Sequence, residues 1–493
     1  MSRNSFCRCR LRLLFGRPKT KWFVCFAAAL CAWAPSSALA AVRLVPAGYS
    51  AIQDAIDASA SHDTILVAPG VYTGVRNRSL NFNGVDLILI SEEGAAETVI
   101  DCEHSGTAIE LRSGETSVAT IDGFTIRNAK SSTGAIHIVA SSPTVRNCLI
   151  TDNDCDGVYA REGWPKIIDC QITRNHSGIN VYRRITVRGC LIADNSVQDE
   201  FSGGGILYYG WDATIENCTI VRNHATYGGG IACRGYNTEI TLTDCVIEDN
   251  SARQGGALWR DRGASGCTLW RCTIRNNSAT ERGGAIYSEP YYLHLLDCAV
   301  IGNTAAEGGA IYADGSLVLE NCLLSGNRAS GNGGAVMSIG EGFEVRNCTF
   351  SGNRADGGYG GAIHSRGGNF GTSILHADCA GVAGGGDEIF AESGWMTFDC
   401  CLVDSGGIGG GATQEWYNEH LTSDPLFCGP LNCANAPTVA GDYTLSAAGD
   451  CLSPCLEQTS PCGMLIGARG AGTCGCSPIL KVTWGQLRML FRK

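Results

Sequence analysis

The chain is 493 residues long, with a formal net charge of −11, 65 glycines, 13 prolines and 27 cysteines. An apolar share of 44% with 17% charged residues excludes a disordered chain, and glycine without a Gly-X-Y period excludes collagen. Residues 1–40 hold seven basic residues and no acid, so the remainder is near −18, a balance that repels phosphate backbones and argues against a nucleic-acid partner.

Residues 1–40 read as an export signal. The basic residues end at Lys21, an apolar run leads from Trp22 to Ala34, and Ala38-Leu39-Ala40 fits a small-x-small cleavage site. The run is shorter than the roughly 20 apolar residues that span a bilayer. No later stretch spans one either, so the mature chain is expected outside the cell, secreted or held at a bacterial surface.

Residues 41–425 are dominated by a repeat. Its unit is Asn/Asp/Gly-Cys-x-Ile/Leu-x-x-Asn, at Cys148, Cys170, Cys190, Cys218, Cys245, Cys272, Cys298, Cys322 and Cys348, each with Asn five residues on, from Asn153 to Asn353. Cys148 to Cys348 is 200 residues in eight steps, or 25 per repeat, and degenerate copies reach back to Phe124 and forward to Cys379 and Cys400. Between these units lies Gly-Gly-Ala/Gly followed by Ile, Leu or Val, and an alternating apolar run such as Leu317-Val318-Leu319 precedes each Cys. Three short strands per repeat, separated by turns, predict a parallel β-solenoid of about fifteen coils.

The columns follow from alternation. Cys218 and Ile220 face the same way, into the core, so stacked coils make a column of buried free thiols. The Asn at Cys+5 is read as a turn residue that tolerates left-handed φ, with its amide free to bond the next coil. The Gly-Gly pair allows a tight bend.

Residues 426–476 form a Cys-rich closing segment. Cys428, Cys433, Cys451, Cys455, Cys462, Cys474 and Cys476 are candidates for disulfides in an exported chain; zinc is the alternative, without the two CxxC pairs it favours. Residues 477–493 carry Trp484, Leu490 and Phe491 among Lys481, Arg488 and Lys493, either a sorting or anchor segment or a loose end.

These repeats resemble right-handed parallel β-helix proteins. Gly-Gly-Ala-Ile and Phe350-x-x-Asn353 are similar to the repeats of polymorphic outer-membrane proteins. Ala51-Ile52-Gln53-Asp54-Ala55-Ile56-Asp57 followed by Asp63-Thr64-Ile65-Leu66-Val67 resembles the opening of pectin-lyase-like β-helices, which implies a short N-terminal capping helix. Asp424-Pro425-Leu426-Phe427 and Gly441-Asp442-Tyr443-Thr444-Leu445 resemble a closing coil. The scaffold hosts lyases, hydrolases, epimerases and adhesins, so the resemblance implies a fold and leaves function open.

Three constellations are candidates for chemistry. Asp152, Asp154 and Asp156, with Gly157 sixth from Asp152, match the first half of a calcium loop, although Gly163 stands where a bidentate Glu belongs; the competing reading is a polar turn. A stripe on successive coils sets Trp259, Tyr287 and Tyr312 facing outward, with Asp261, Glu289 and Asp314 two residues on and Tyr209 and Trp211 on a preceding coil. Exposed rings offer flat apolar faces to sugars while the carboxylates accept hydrogen bonds or hold Ca²⁺. His176, His224 and His364 read as turn residues. The leading expectation is a non-enzymatic protein that binds an extracellular polysaccharide or a surface partner along the solenoid; the alternative is a polysaccharide lyase or epimerase of the pectin-lyase-like superfamily.

Overall fold

A computed structural model describes residues 40–417, apart from 199–202, 236–238, 262, 264–265 and 405–406, and beyond them 427–429, 433–437 and 442–445. The expected export signal, most of the closing segment and the tail at 477–493 lie outside the described residues.

The described chain winds into a parallel β-solenoid of about fourteen turns. Three long sheets carry 16, 14 and 14 strands, each strand pairing with the equivalent one a coil away. Register is set by inward-facing columns. In the first sheet Ile240 pairs with Cys267 and Cys267 with Leu293. In the second Leu258, Ile286 and Ile311 align, and in the third Ile247, Ile274 and Val300. These residues are 0–1% exposed and line one continuous core. A one-residue slip would turn every one of them out to water, so the alternation fixes the register.

The sole α-helix among the described residues, Ile52–Asp57, buries Ile52, Ala55 and Ile56. It packs on strands Val42–Val45, Thr64–Val67 and Leu80–Asn81. No described helix is long and apolar enough to cross a membrane.

The cysteine column is as the periodicity requires. Cys218, Cys245, Cys272, Cys298 and Cys322 are buried free thiols. Each Sγ donates weakly to a carbonyl one coil back, Cys218 to Val187 at 3.7 Å and Cys298 to Leu269 at 3.4 Å. Cys379, counted above as a degenerate repeat cysteine, is instead in a disulfide with Cys433.

The asparagine column differs from its expected backbone. The left-handed residue is the one before each ladder Asn, such as Asp152 (φ 57°), Arg222 (φ 53°) and Asn276 (φ 55°). This turn frees the Asn side chain to point inward. Asn153 Nδ2 donates to Asn175 Oδ1 at 2.8 Å, and the chain of amides continues through Asn195, Asn223, Asn250, Asn277, Asn303 and Asn327 to Asn353. Each ladder asparagine is thus a hydrogen-bonding residue of the interior, not a turn residue.

Six coils also carry a strand that the three-strand reading missed. A six-stranded sheet, from Ser251–Gln254 to Cys379–Ala380, follows the ladder Asn in five of these coils and Asp378 in the sixth. Its short runs, such as Arg328–Ala329, lack the apolar alternation by which strands are recognised. At the Gly-Gly pairs, Gly255 has φ 63°. A Cβ on Gly256 would run into the Gly284 carbonyl of the next coil.

Candidate functional site

The predicted ring stripe is in register but covered. Trp259, Tyr287 and Tyr312 align on the second sheet and face away from the main core, in a separate cluster with Leu207, Ala232 and Met337. They are only 6%, 5% and 4% exposed. A neighbouring column, Tyr227, Gln254, Arg282 and Glu307, runs beside them along the fourth sheet. From it the Tyr227 ring packs 4.9 Å from Trp259, and the Arg282 guanidinium sits 4.8 Å over Tyr312. Alternation predicts which side chains leave the core, not whether another strand folds over them.

Two of the three acids beside these rings are engaged as well. Asp261 accepts from Gly263 N–H at 2.8 Å and faces Arg234, and Glu289 accepts from the Tyr287 hydroxyl at 3.0 Å. Asp314 is half-buried. The expectation that this stripe is an open binding face is therefore corrected. Trp259→Ala should destabilise the fold by about 3–5 kcal/mol, the usual penalty for emptying an aromatic site in a packed cluster. Urea unfolding measures it, and a loss under about 0.5 kcal/mol would mean the ring is accessible after all.

The acidic run does not converge on a cation. Asp152 takes the Arg174 fork, Nε at 2.7 Å and Nη2 at 2.8 Å, which holds its carboxyl below the usual range. Asp154 faces His104 at 3.5 Å. Asp156 accepts from Asn180 Nδ2 at 2.9 Å and lies 3.4 Å from His176 Nδ1. Leu149–Asn153 is a strand and Asn153 belongs to the ladder, so the three side chains are sent to different partners. No group of three or more metal-ligating side chains forms among the described residues.

Earlier coils of the same face bring chemistry together. Strands Asp156–Arg161, Ile179–Tyr182 and Ile206–Tyr209 lie on adjacent coils of the second sheet. Their half-buried tyrosines stack along the solenoid. Tyr159 and Tyr182 are 5.8 Å apart and tilted by 50°, and Tyr182 and Tyr209 are stacked 4.7 Å apart and nearly parallel. The Arg234 guanidinium continues the stack 5.5 Å from Tyr209. At the start of these strands a polar cavity of about 360 Å³ is lined by Asp154, Asp156, His176 and Asn180.

Beyond their far ends is a cleft of about 300 Å³, lined by Ser142, Gly163, Trp164, Arg183, Arg184 and Trp211. Lys166, Thr186 and Thr214 align on the first sheet. Trp164, Arg184 and Asp212 stand two residues before them, and Gly163, Arg183 and Trp211 three before. The two tryptophans are thus two coil steps apart, about 10 Å. They are 49% and 54% exposed. Arg183 lies 5.3 Å over the Trp211 ring and Arg184 5.4 Å over Trp164. Arg184 pairs with Asp212 at 2.9 Å, and Trp164 Nε1 donates to Thr186 at 3.2 Å. Of these residues the sequence names Trp211 alone as a candidate binding residue, and Gly163 only as the calcium-loop position that lacks its Glu. Trp164, Arg183 and Arg184 lie in turns outside the repeating unit, and the signal for them is the alignment of three successive turns.

A family model described as "Right handed beta helix region" matches residues 65–247, 134–289 and 211–376. The chain belongs to this right-handed β-helix family. No curated protein matches the sequence. Among solved structures, the catalytic unit of a thermostable GH87 alpha-1,3-glucanase from Streptomyces thermodiastaticus strain HF3-3 is 14% identical with a TM-score of 0.38, over 73% of this chain and 64% of that one. The chain therefore spans less than two thirds of the glucanase unit. Pectate lyase Pel9A is 12% identical with a TM-score of 0.30, over 88% of this chain and 96% of that one. These likenesses concern the path of the β-helix; the chemistry of this β-helix rests on its own side chains.

Two half-exposed indoles, each carrying a guanidinium from the coil between them, line a cleft that can take a flat, partly apolar ring. The scaffold is rigid, so little conformational freedom is lost on contact.

Proposed function

We propose that this β-helix is an exported protein, secreted or held at a cell surface, that binds an extracellular polysaccharide across three coils without cleaving it. The observation that carries the reading is the Trp164–Trp211 pair, two large half-exposed rings lining one cleft. Exposed aromatic area of this kind favours ligands with an apolar face and hydroxyl edges, as sugars have. Export is supported by the basic and apolar pattern of residues 1–40.

The test is a glycan array with the full chain, followed by titration of the best polymer. A Trp164→Ala/Trp211→Ala double variant should bind more than tenfold more weakly. Its unfolding free energy should change by no more than about 0.5 kcal/mol per site, because both rings are exposed. Wild-type binding in that variant would place the site elsewhere. The enzymatic alternative is favoured by one feature, the Asp156–His176 contact in the polar cavity of the same coils. Analysis of the bound polymer for shortened or epimerised products separates the two readings.

A further inference from the structure

Arg183 is held in a backbone conformation that its side chain disfavours. Its φ is 106°, in the region that suits glycine. Its N–H donates to Tyr209 O at 2.6 Å, and its carbonyl fills the space where a Cβ on Gly210 would stand. The neighbouring coil therefore fixes the strain, and glycine at 183 would relieve it. A strained non-glycine residue lining a cleft is an observation that calls for a functional reason.

Charge supplies one. Arg184 is matched by Asp212, but among the described residues no carboxylate pairs with Arg183, which is exposed on a protein of net charge −11. A guanidinium stacked on an indole keeps its N–H edge free, and that edge matches the two oxygens of a carboxylate. The cleft of about 300 Å³ that these side chains line has room for one sugar ring against the outer edges of the indoles and of Arg183.

We propose that the cleft takes a sugar residue bearing a carboxylate, with the ring in the cleft against Trp164 and Trp211 and the carboxylate directly on Arg183, without a bridging divalent cation. This rests on the glycan-binding reading above and narrows it to an acidic glycan.

The experiment titrates the full chain with an oligouronate and with the same oligomer after its carboxyls have been reduced to alcohols, both in EDTA. The oligouronate should bind at least tenfold more tightly than the reduced oligomer. Arg183→Gln should lower affinity for the oligouronate more than tenfold and change affinity for the reduced oligomer less than twofold. Arg183→Gly should show the same loss together with a raised Tm, a combination that a merely structural arginine would not give. Equal binding of the two oligomers, an equal loss for both in Arg183→Gln, or abolition of binding by EDTA would overturn the proposal and leave the glycan reading standing. Binding of neither oligomer, with no glycan lost in the double tryptophan variant, would overturn both.

Discussion

Replacing Asn277 by alanine is expected to destabilise the solenoid by about 3–5 kcal/mol, since truncation strands several buried groups at about 1–3 kcal/mol each. Asn277 is 0% exposed and uses its whole amide. Its Oδ1 accepts from the N–H and Nδ2 of Asn250, both at 3.0 Å. Its Nδ2 donates to Ile247 O at 2.9 Å, Arg275 O at 3.0 Å and Asn303 Oδ1 at 3.1 Å. Alanine leaves the Asn250 N–H and the Ile247 carbonyl among the orphans, in a core with no room for compensating side chains. Aspartate is expected to be no remedy. It restores the acceptor but removes both donors, and it places a charge in an apolar interior. Each coil touches only its neighbours, so the damage should be local. Hydrogen exchange should accelerate in the coils containing Asn250, Asn277 and Asn303 before it does at either end. A loss below about 1 kcal/mol in urea unfolding, with uniform exchange, would show that water repairs the gap.

What the sequence makes legible is whatever repeats from coil to coil. A side chain that recurs every 25 residues must solve the same packing problem each time. The inward columns, including Cys218 through Cys322, were therefore visible without coordinates. So was the amide ladder, although its turn residue is one position earlier than expected. The outer surface is not constrained in this way. Period-two alternation assigns Trp259, Tyr287 and Tyr312 to the outside correctly, yet burial there depends on a fourth strand of sequences such as Ser-Ala-Arg-Gln, which carries no apolar pattern. The calcium-like spacing failed for a related reason. Asp152, Asp154 and Asp156 are close in sequence, but a strand end and a turn aim them at Arg174, His104 and Asn180. Trp164 and Arg183 escaped notice because neither belongs to a repeating column. Only the register between coils shows that they share a cleft.

The end of the ladder should make stability fall as pH rises from 5 to 8. Asp378 occupies the rung after Asn353 and accepts from its N–H at 2.5 Å and its Nδ2 at 2.9 Å. Its own N–H donates to Glu388 Oε1 at 3.3 Å. Both carboxyls are buried, at 4% and 1% exposure. Burial pushes Asp378 up to about 7. Burial, followed by the nearby Asp378, pushes Glu388 well above the carboxylate range. Around them, Asp404 feels burial most, but its 2.8 Å bond and attraction to His376, with the Ala377 N–H and Glu388, together keep it low. Asp387 accepts from Ala380 N–H at 3.0 Å. The buried pair shares protons that the unfolded chain releases near pH 4, so between there and pH 7 the folded state holds more protons than the unfolded one. The pair's full contribution is present below pH 4 and is lost as pH rises through about 7. At 1.36 kcal/mol per unit, the Asp378 shift alone sets a ceiling of about 4 kcal/mol. Asp378→Asn should remove most of this slope. The new amide keeps an acceptor for Asn353 and gives Glu388 a donor, so the ladder gains a rung that binds a carboxylate. Urea unfolding of both proteins across pH 5–8 should show the variant's advantage growing toward pH 8. A constant difference across that range would mean the pair carries no proton into the folded state.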